Sequence, residues 1–156
     1  MQLAWSDPPV VVWCQQLLNS YSYWTKSELI QRIGTPLTQA ETLFHSALVV
    51  VSHGAESDPI LNYGNQAALE LWEMDWESFT RTPSRLTAEP MNREERSHML
   101  ARAETEGYIS NYHGVRISSS GKRFRVDNAI IWTVRTDNGD NIGQAATFSD
   151  WQFLGN

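Results

Sequence analysis

The run Ile60-Leu-Asn-Tyr-Gly-Asn-Gln-Ala-Ala-Leu-Glu-Leu-Trp72 limits what this chain can fold into more than any other stretch. It begins as a short apolar strand that ends at Tyr63-Gly64, and it then breaks directly into a turn that carries Ala68, Leu69 and Trp72 on one side. Asn65 stands at the junction. That is an N-cap position, where the side-chain oxygen accepts from a free backbone N–H of the first helical turn. A strand that feeds a helix in this way, with a Gly-turned antiparallel hairpin further along, describes a small mixed domain rather than a bundle or a barrel.

Upstream, Asp7-Pro8-Pro9 signals a helix start, and Val10, Trp13, Leu17, Tyr21 and Trp24 recur at helical spacing, so residues 9–24 are predicted as an amphipathic helix. Thr25-Lys-Ser-Glu28 has the spacing of a capping box and predicts a second helical piece that runs to Ile33 and stops at Gly34. Thr35-Pro36 opens a third, with Leu37, Ala40, Leu43, Phe44 and Ala47 on one face. Strands are predicted at 47–52 and 59–64, helices at 65–73 and from Asp75 to Phe79, and an irregular loop over 80–91. Asn92 with Glu95 is predicted to cap a longer helix that ends at Gly107. Three strands follow at about 109–118, 122–135 and 142–153, separated by Ser119-Ser120-Gly121 and Asp137-Asn138-Gly139.

Phe124, Val126, Ile130, Trp132 and Val134 share one face of the strand at 122–135 under strict alternation, yet Ala129 and Ile131 fall on the other. A strand that is apolar on both sides needs two covering layers. The helices at 65–106 supply one, and the N-terminal helical segment supplies the other. The organisation is therefore an N-terminal helical extension, 1–46, packed on a domain spanning 47–156.

The length of 156 residues suits one domain with a real core. Twelve basic against eighteen acidic residues leave a net charge of −6, with basic density confined to Arg116, Lys122, Arg123 and Arg125. Nucleic-acid binding draws most of its affinity from a basic face, so direct binding is not expected. No apolar run reaches the ~18–20 residues that cross a bilayer, and the first nine residues have no secretory pattern. A cytoplasmic protein with no membrane association is the expectation. The single cysteine, Cys14, excludes an internal disulfide and a cysteine-based metal site, and its simplest role is a small buried apolar side chain.

Several segments resemble PAS domains. Asn65-Gln-Ala-Ala-Leu-Glu-Leu resembles the Asn-x-Ala-Ala turn after their second strand, and Ser120-Gly121-Lys122-Arg123-Phe124 resembles their Gly-Arg hairpin. Asn138-Gly139 through Ile142-Gly143 to Asp150 is similar to their closing pattern, so the likeness covers about 47–153. Within that superfamily the chain resembles most the MEKHLA domain, which plant class III homeodomain–leucine zipper transcription factors carry at their C-terminus and which also occurs as stand-alone copies in photosynthetic microbes. The residues that carry this are Asn65 to Glu70, Gly114-Val115 with Ser118-Ser119, Gly121-Lys122, the Ala129 and Trp132 pair, and Ala146 to Phe153. The literal Met-Glu-Lys-His-Leu-Ala string is absent, as are a homeodomain and a zipper. The resemblance implies an α+β fold, a PAS-like five-stranded antiparallel sheet with helices on the inner face and the N-terminal segment packed on it. It also implies a regulatory, ligand-dependent role. It does not imply transcription-factor activity.

In a PAS-like domain a ligand lies between the inner sheet face and the helices after the second strand. Tyr63, His98, Arg116, Asn128 and Gln144 are the candidate pocket residues. Asn128 is the polar member of the Phe124–Val134 face, and a register slip of one would put Asp127 in its place. Segment 73–106 has no cysteine, so a flavin–cysteinyl adduct is not supported. Haem ligation by His98 is disfavoured because Glu94, Glu95, Arg96 and Arg102 mark a solvated helix face, and the histidines have no metal-ligand spacing. The helix stripe Val10, Trp13, Leu17, Tyr21 and Trp24 is the candidate interaction surface for a protein partner or a homodimer. No catalytic constellation appears, so an enzyme is not expected. Six residues follow Asp150, the position from which PAS signals leave, so any output is expected through contact with another chain. The reading is a stand-alone sensory or regulatory module for a small molecule or a protein partner, and the alternative is a pure interaction module with no ligand.

Overall fold

The computed structural model describes residues 3–155. Helix α1 (Pro8–Thr25) begins on two prolines, whose missing N–H groups cost nothing in a first turn. It ends at Lys26, which takes the left-handed conformation at φ 62°. The predicted second helical piece does not form. Thr25 Oγ1 donates back to Tyr21 O at 2.8 Å and accepts from Ser27 N, while the Glu28 carboxylate accepts from Ser22 Oγ, so the capping box never closes. The segment is instead an irregular strap held by buried Leu29 and Ile30. Helix α2 (Pro36–Phe44) starts where Thr35 Oγ1 accepts from Thr38 N at 3.2 Å.

Strands β1 (Val49–Gly54) and β2 (Leu61–Gly64) lead into α3 (Gln66–Trp72). The junction rests on Asn65, which is fully buried. Its side chain accepts from Ala68 N at 3.2 Å and Val50 N at 3.0 Å, and donates to Leu43 O at 3.2 Å and Leu48 O at 2.6 Å. One amide thus caps α3 and ties it to β1 and to the end of α2. Gly64 precedes it because a Cβ there would meet the Phe79 ring at 2.7 Å. Asp75 Oδ1 caps the single turn of α4 (Trp76–Phe79) by accepting from Ser78 N at 2.8 Å.

Segment 80–92 is irregular, with short 3₁₀ turns at Ser84–Thr87 and Pro90–Asn92, and α5 (Arg93–Glu106) follows. The expected Asn92 cap is not made. Glu95 is occupied elsewhere, accepting from Tyr112 Oη at 2.7 Å. Strands β3 (Tyr108–Ile117), β4 (Arg123–Arg135), β5 (Asn141–Phe148) and β6 (Asp150–Phe153) complete the sheet. Its order is β2-β1-β5-β4-β3, with every neighbour antiparallel, and β6 extends the path of β5 along β4. This is the α+β arrangement expected from the resemblance.

Each face of the sheet has its own core. The inner face packs Val49, Leu61, Phe124, Val126, Ala129, Ile131 and Phe148 against Leu71, Trp72, Phe79, Met99 and Ala103 of the helices. The outer face packs Val50, Tyr63, Trp132, Val134 and Ala145 against Cys14, Leu17, Leu18 and Tyr21 of α1 and Ala40 and Leu43 of α2. Trp24 Nε1 donates to Thr133 O at 2.8 Å and Trp13 Nε1 to Ser52 Oγ at 2.8 Å, so α1 is pinned to the sheet at both ends. At Gly107, with φ 90°, a Cβ would drive into the Trp24 ring.

The single-face expectation for β4 fails at Asn128. Phe124 and Val126 face inward, whereas Ile130, Trp132 and Val134 face outward. Asn128 has φ 56°, and a left-handed residue inside a strand reverses the alternation of side chains beyond it. Asn111 on β3 has φ 55°, and Ser149 opposite Asn128 separates β5 from β6. These three positions line up as a crease across adjacent strands. Asparagine is one of the few residues besides glycine that enters this conformation readily.

Candidate functional site

Beneath the crease lies a cavity of about 70 Å³, between the inner sheet face and the helices. Its walls are mainly apolar, from Leu61, Trp72, Phe79, Met99, Val126, Ile131 and Phe148. One side is polar and carries His53, Ser84, Arg96, Tyr112, Arg116 and Gln144.

His53 sits at the end of β1, where the alternation Val49, Val51, His53 turns it inward. Its Nδ1 lies 2.8 Å from Gly54 O and donates to it. Nε2 is therefore a lone-pair acceptor, buried and without a partner. Burial holds the ring pKa below its ordinary 6.5, which favours the neutral form. Trp72 Nε1–H is likewise buried and unpartnered.

Arg96 extends the apolar stripe of α5 formed by Met99, Leu100 and Ala103, and it is 7% exposed. Its guanidinium donates to Ser84 Oγ. Burial, and then the nearby Arg116, lower its pKa from 12.5 to about 10. Arg116 is 8% exposed and donates to Val115 O at 2.8 Å and Tyr112 Oη at 3.1 Å. The ion pairs among the described residues include neither arginine. Two buried cations thus share one apolar cavity with neutral hydrogen-bond acceptors only, an arrangement that costs stability unless a counter-charge is supplied.

Of the five candidate pocket residues, Arg116 and Gln144 line this cavity, the latter donating to Leu100 O at 2.8 Å. Asn128 is exposed at the crease, where its left-handed backbone turns it away from the inner face. His98 is exposed on α5 and does not line the cavity. Tyr63 is fully buried, but in the outer layer, where its hydroxyl neighbours the Cys14 thiol. Burial pushes that thiol up to about 12. Cys14 lies across the sheet from the cavity.

The candidate interaction stripe is also corrected. Leu17 and Tyr21 are buried, and Val10, Trp13 and Trp24 pack against the same cluster, so the stripe covers the sheet. Of the four residues that make up the basic density, Arg116 is buried and lines the cavity. Lys122, Arg123 and Arg125 each pair with a carboxylate, those of Glu73, Glu89 and Asp127.

His53, Arg96, Tyr112 and Trp72 were missed as site residues. A histidine in phase with Val49 and Val51, and an arginine in phase with Met99 and Ala103, were the signals available. Among the described residues no group of three or more His, Cys, Asp or Glu could hold a metal, and no helix is long and apolar enough to cross a membrane.

The MEKHLA domain family is matched over residues 11–153, which takes in α1 from its fourth residue on, the crease and every cavity residue. The chain belongs to the MEKHLA domain family. Two curated relatives from Arabidopsis thaliana are homeobox-leucine zipper proteins. ATHB-9 is 26% identical over 99% of this chain and 19% of its own length, and ATHB-14 is 23% identical over 96% and 18%. The MEKHLA chain thus spans about a fifth of the length of the relatives it matches.

Solved structures place the MEKHLA fold beside PAS and light-oxygen-voltage domains. A PAS domain from Colwellia psychrerythraea superposes with a TM-score of 0.63 at 12% identity, covering 75% of this chain and 94% of that one. A light-oxygen-voltage domain studied with a flavin analogue gives 0.59 at 12%, covering 76% and 85%. An RNA-binding light-oxygen-voltage receptor gives 0.61 at 17%, covering 78% and 34%. At these identities the likeness is one of fold.

Proposed function

We propose that this MEKHLA chain is a sensory module that binds a small molecule in the cavity under the crease and reports occupancy to another protein by contact. The observation that carries the reading is a cavity with apolar walls, lined in part by two buried residues, His53 and Trp72, whose Nε2 and Nε1 have no hydrogen-bond partner. An unsatisfied buried donor or acceptor costs about 1–3 kcal/mol, and a ligand that met either group would recover that for the group it met. The N-terminal segment 1–46 acts as a cover for the sheet and 47–156 as the receiving body. The pure interaction-module alternative loses its proposed surface, because the α1 stripe is buried against the outer face.

A volume of about 70 Å³ suits a molecule of few heavy atoms and is small for a flavin or haem, since drug-sized ligands occupy pockets of roughly 300–1,000 Å³. No catalytic role is proposed: among the described residues no cavity hydroxyl hydrogen-bonds His53 Nε2, and those of Ser52, Ser84 and Thr87 are engaged by Asn62, Arg96 and Ser84 O.

Mass spectrometry of the gently purified protein under native conditions, with absorbance from the near ultraviolet to the red, tests the reading. The expected result is a colourless small molecule bound one to one, displaced by filling the cavity with Ala129→Phe. A chain that carries no ligand and is unchanged in stability by a broad panel of small metabolites would overturn it.

A further inference from the structure

We infer that the cavity's ligand is a short-chain carboxylate, its charge held between Arg96 and Arg116 and its hydrocarbon end against Trp72, Phe79, Met99 and Ile131. This rests on the small-molecule reading above and narrows it to a chemical class.

Charge comes first. Arg96 and Arg116 reach the cavity from different elements, α5 and β3, and both are more than nine-tenths buried. Each guanidinium has five N–H donors. The structure uses one of Arg96's on Ser84 Oγ, and two of Arg116's on Val115 O and Tyr112 Oη. The remaining donors and both charges call for an anion. Two acids act on the pair without bonding to it: Glu95 reaches Arg116 only through the Tyr112 hydroxyl, and Asp58, whose charge favours the Arg96 cation, forms its ion pair with Arg85. A planar carboxylate accepts two parallel N–H bonds from one guanidinium and leaves lone pairs for a second.

Size and polarity then choose among anions. The other walls are apolar, so a fully solvated ion such as phosphate would leave most of its acceptors unsatisfied. One water-sized probe takes roughly 10–15 Å³, so about 70 Å³ leaves room for a molecule of a few heavy atoms. Propionate and butyrate match both demands.

Calorimetric titration and thermal unfolding of the full chain decide the matter, with propionate, butyrate, propionamide, butyramide and inorganic phosphate as probes. Propionate or butyrate is expected to bind and raise the melting temperature, with the matching amide and phosphate at least tenfold weaker. Arg96→Met and Arg116→Met, each checked for a native near-ultraviolet circular dichroism spectrum, are expected to weaken the carboxylate by about tenfold to hundredfold, as loss of a charge-assisted hydrogen bond does. Arg96→Lys, which keeps the charge, should restore part of the affinity. Amides that bind as well as the acids would overturn the anion assignment and leave the small-molecule reading standing. Phosphate binding as tightly as butyrate would overturn the hydrocarbon part. No response to any probe at millimolar concentration, with no small molecule in the purified protein, would overturn the inference and the function proposed above together.

Discussion

The two faces of the sheet are covered by helices to similar depth, yet they are built to different ends. On the outer face, α1 and α2 lay Leu17, Leu18, Leu43 and Tyr21 onto Val50, Trp132 and Val134, and Tyr21 meets the Trp132 ring edge-on at 5.0 Å. That layer holds no charged residue in its core, and two of its titratable groups, Cys14 and Tyr63, face each other as neutral acids. On the inner face the same sheet leaves a cavity and lines it with two guanidiniums and an imidazole. Burial alone therefore does not distinguish the two layers, and neither does a missing hydrogen bond, since Tyr63 Oη and Trp132 Nε1 of the outer layer are also buried without a partner. Buried charge with no carboxylate beside it does.

The comparison breaks most readily at Trp132. Trp132→Ala in the closed outer layer is expected to cost about 3–5 kcal/mol, measured by urea unfolding, because no neighbouring space can collapse to fill the hole. A loss below 1 kcal/mol would mean that the outer cover is loose.

Next in size is the crease. Asn128→Val puts a β-branched side chain at φ 56° and is expected to cost about 1–2 kcal/mol in the same assay, with Asn128→Gly close to neutral. Equal stability of the two variants would show that the strand runs regularly in solution.

Arg96→Met has the opposite sign. In ligand-free protein it removes a buried cation whose bond to Ser84 Oγ brings no counter-charge, and it is expected to raise stability on the order of 1 kcal/mol. Destabilisation of the ligand-free chain would place Arg96 with the outer layer's residues, as a structural group.

The smallest effect is one of pH. The His53 pKa is lowered by burial, opposed by the hydrogen bond to Gly54 O and by Glu56, and lowered further by Arg96. The folded state therefore binds a proton less readily than the unfolded chain, whose histidine titrates near 6.5. The stabilisation of the neutral ring is present above 6.5 and is lost as pH falls below it. Melting temperature should thus decline on acidification from neutral pH, and His53→Gln should flatten that decline. An unchanged slope in the variant would mean that another group titrates in this window.

Much of this fold could be read from local chemistry. Asn65, Asp75 and Thr35 each cap the helix that their neighbours announced, because capping depends on residues three apart in sequence. The α1 stripe was visible as a stripe, but whether it met a partner or the sheet depended on residues more than a hundred positions away. The site was harder still. Gln144 and Arg116 were found as polar residues in apolar strands, while Arg96 was hidden among the charged neighbours of a helix whose other face is buried. Asn128 misled for a physical reason. An asparagine in a strand reads as one more alternating position unless its backbone sign is known, and that sign decides the face of every residue beyond it.

The reversal at Asn111 and Asn128 also decides what the cavity contains. Counted by strict twos from inward-facing Ile109, Arg116 would emerge on the opposite side of the sheet, beside exposed Arg125 and half-buried Asp127. A pair of asparagines that do not line the cavity therefore sets its polarity. A homologue that replaced both with ordinary strand formers would keep the architecture, yet it would hold one cation fewer with which to greet an acid.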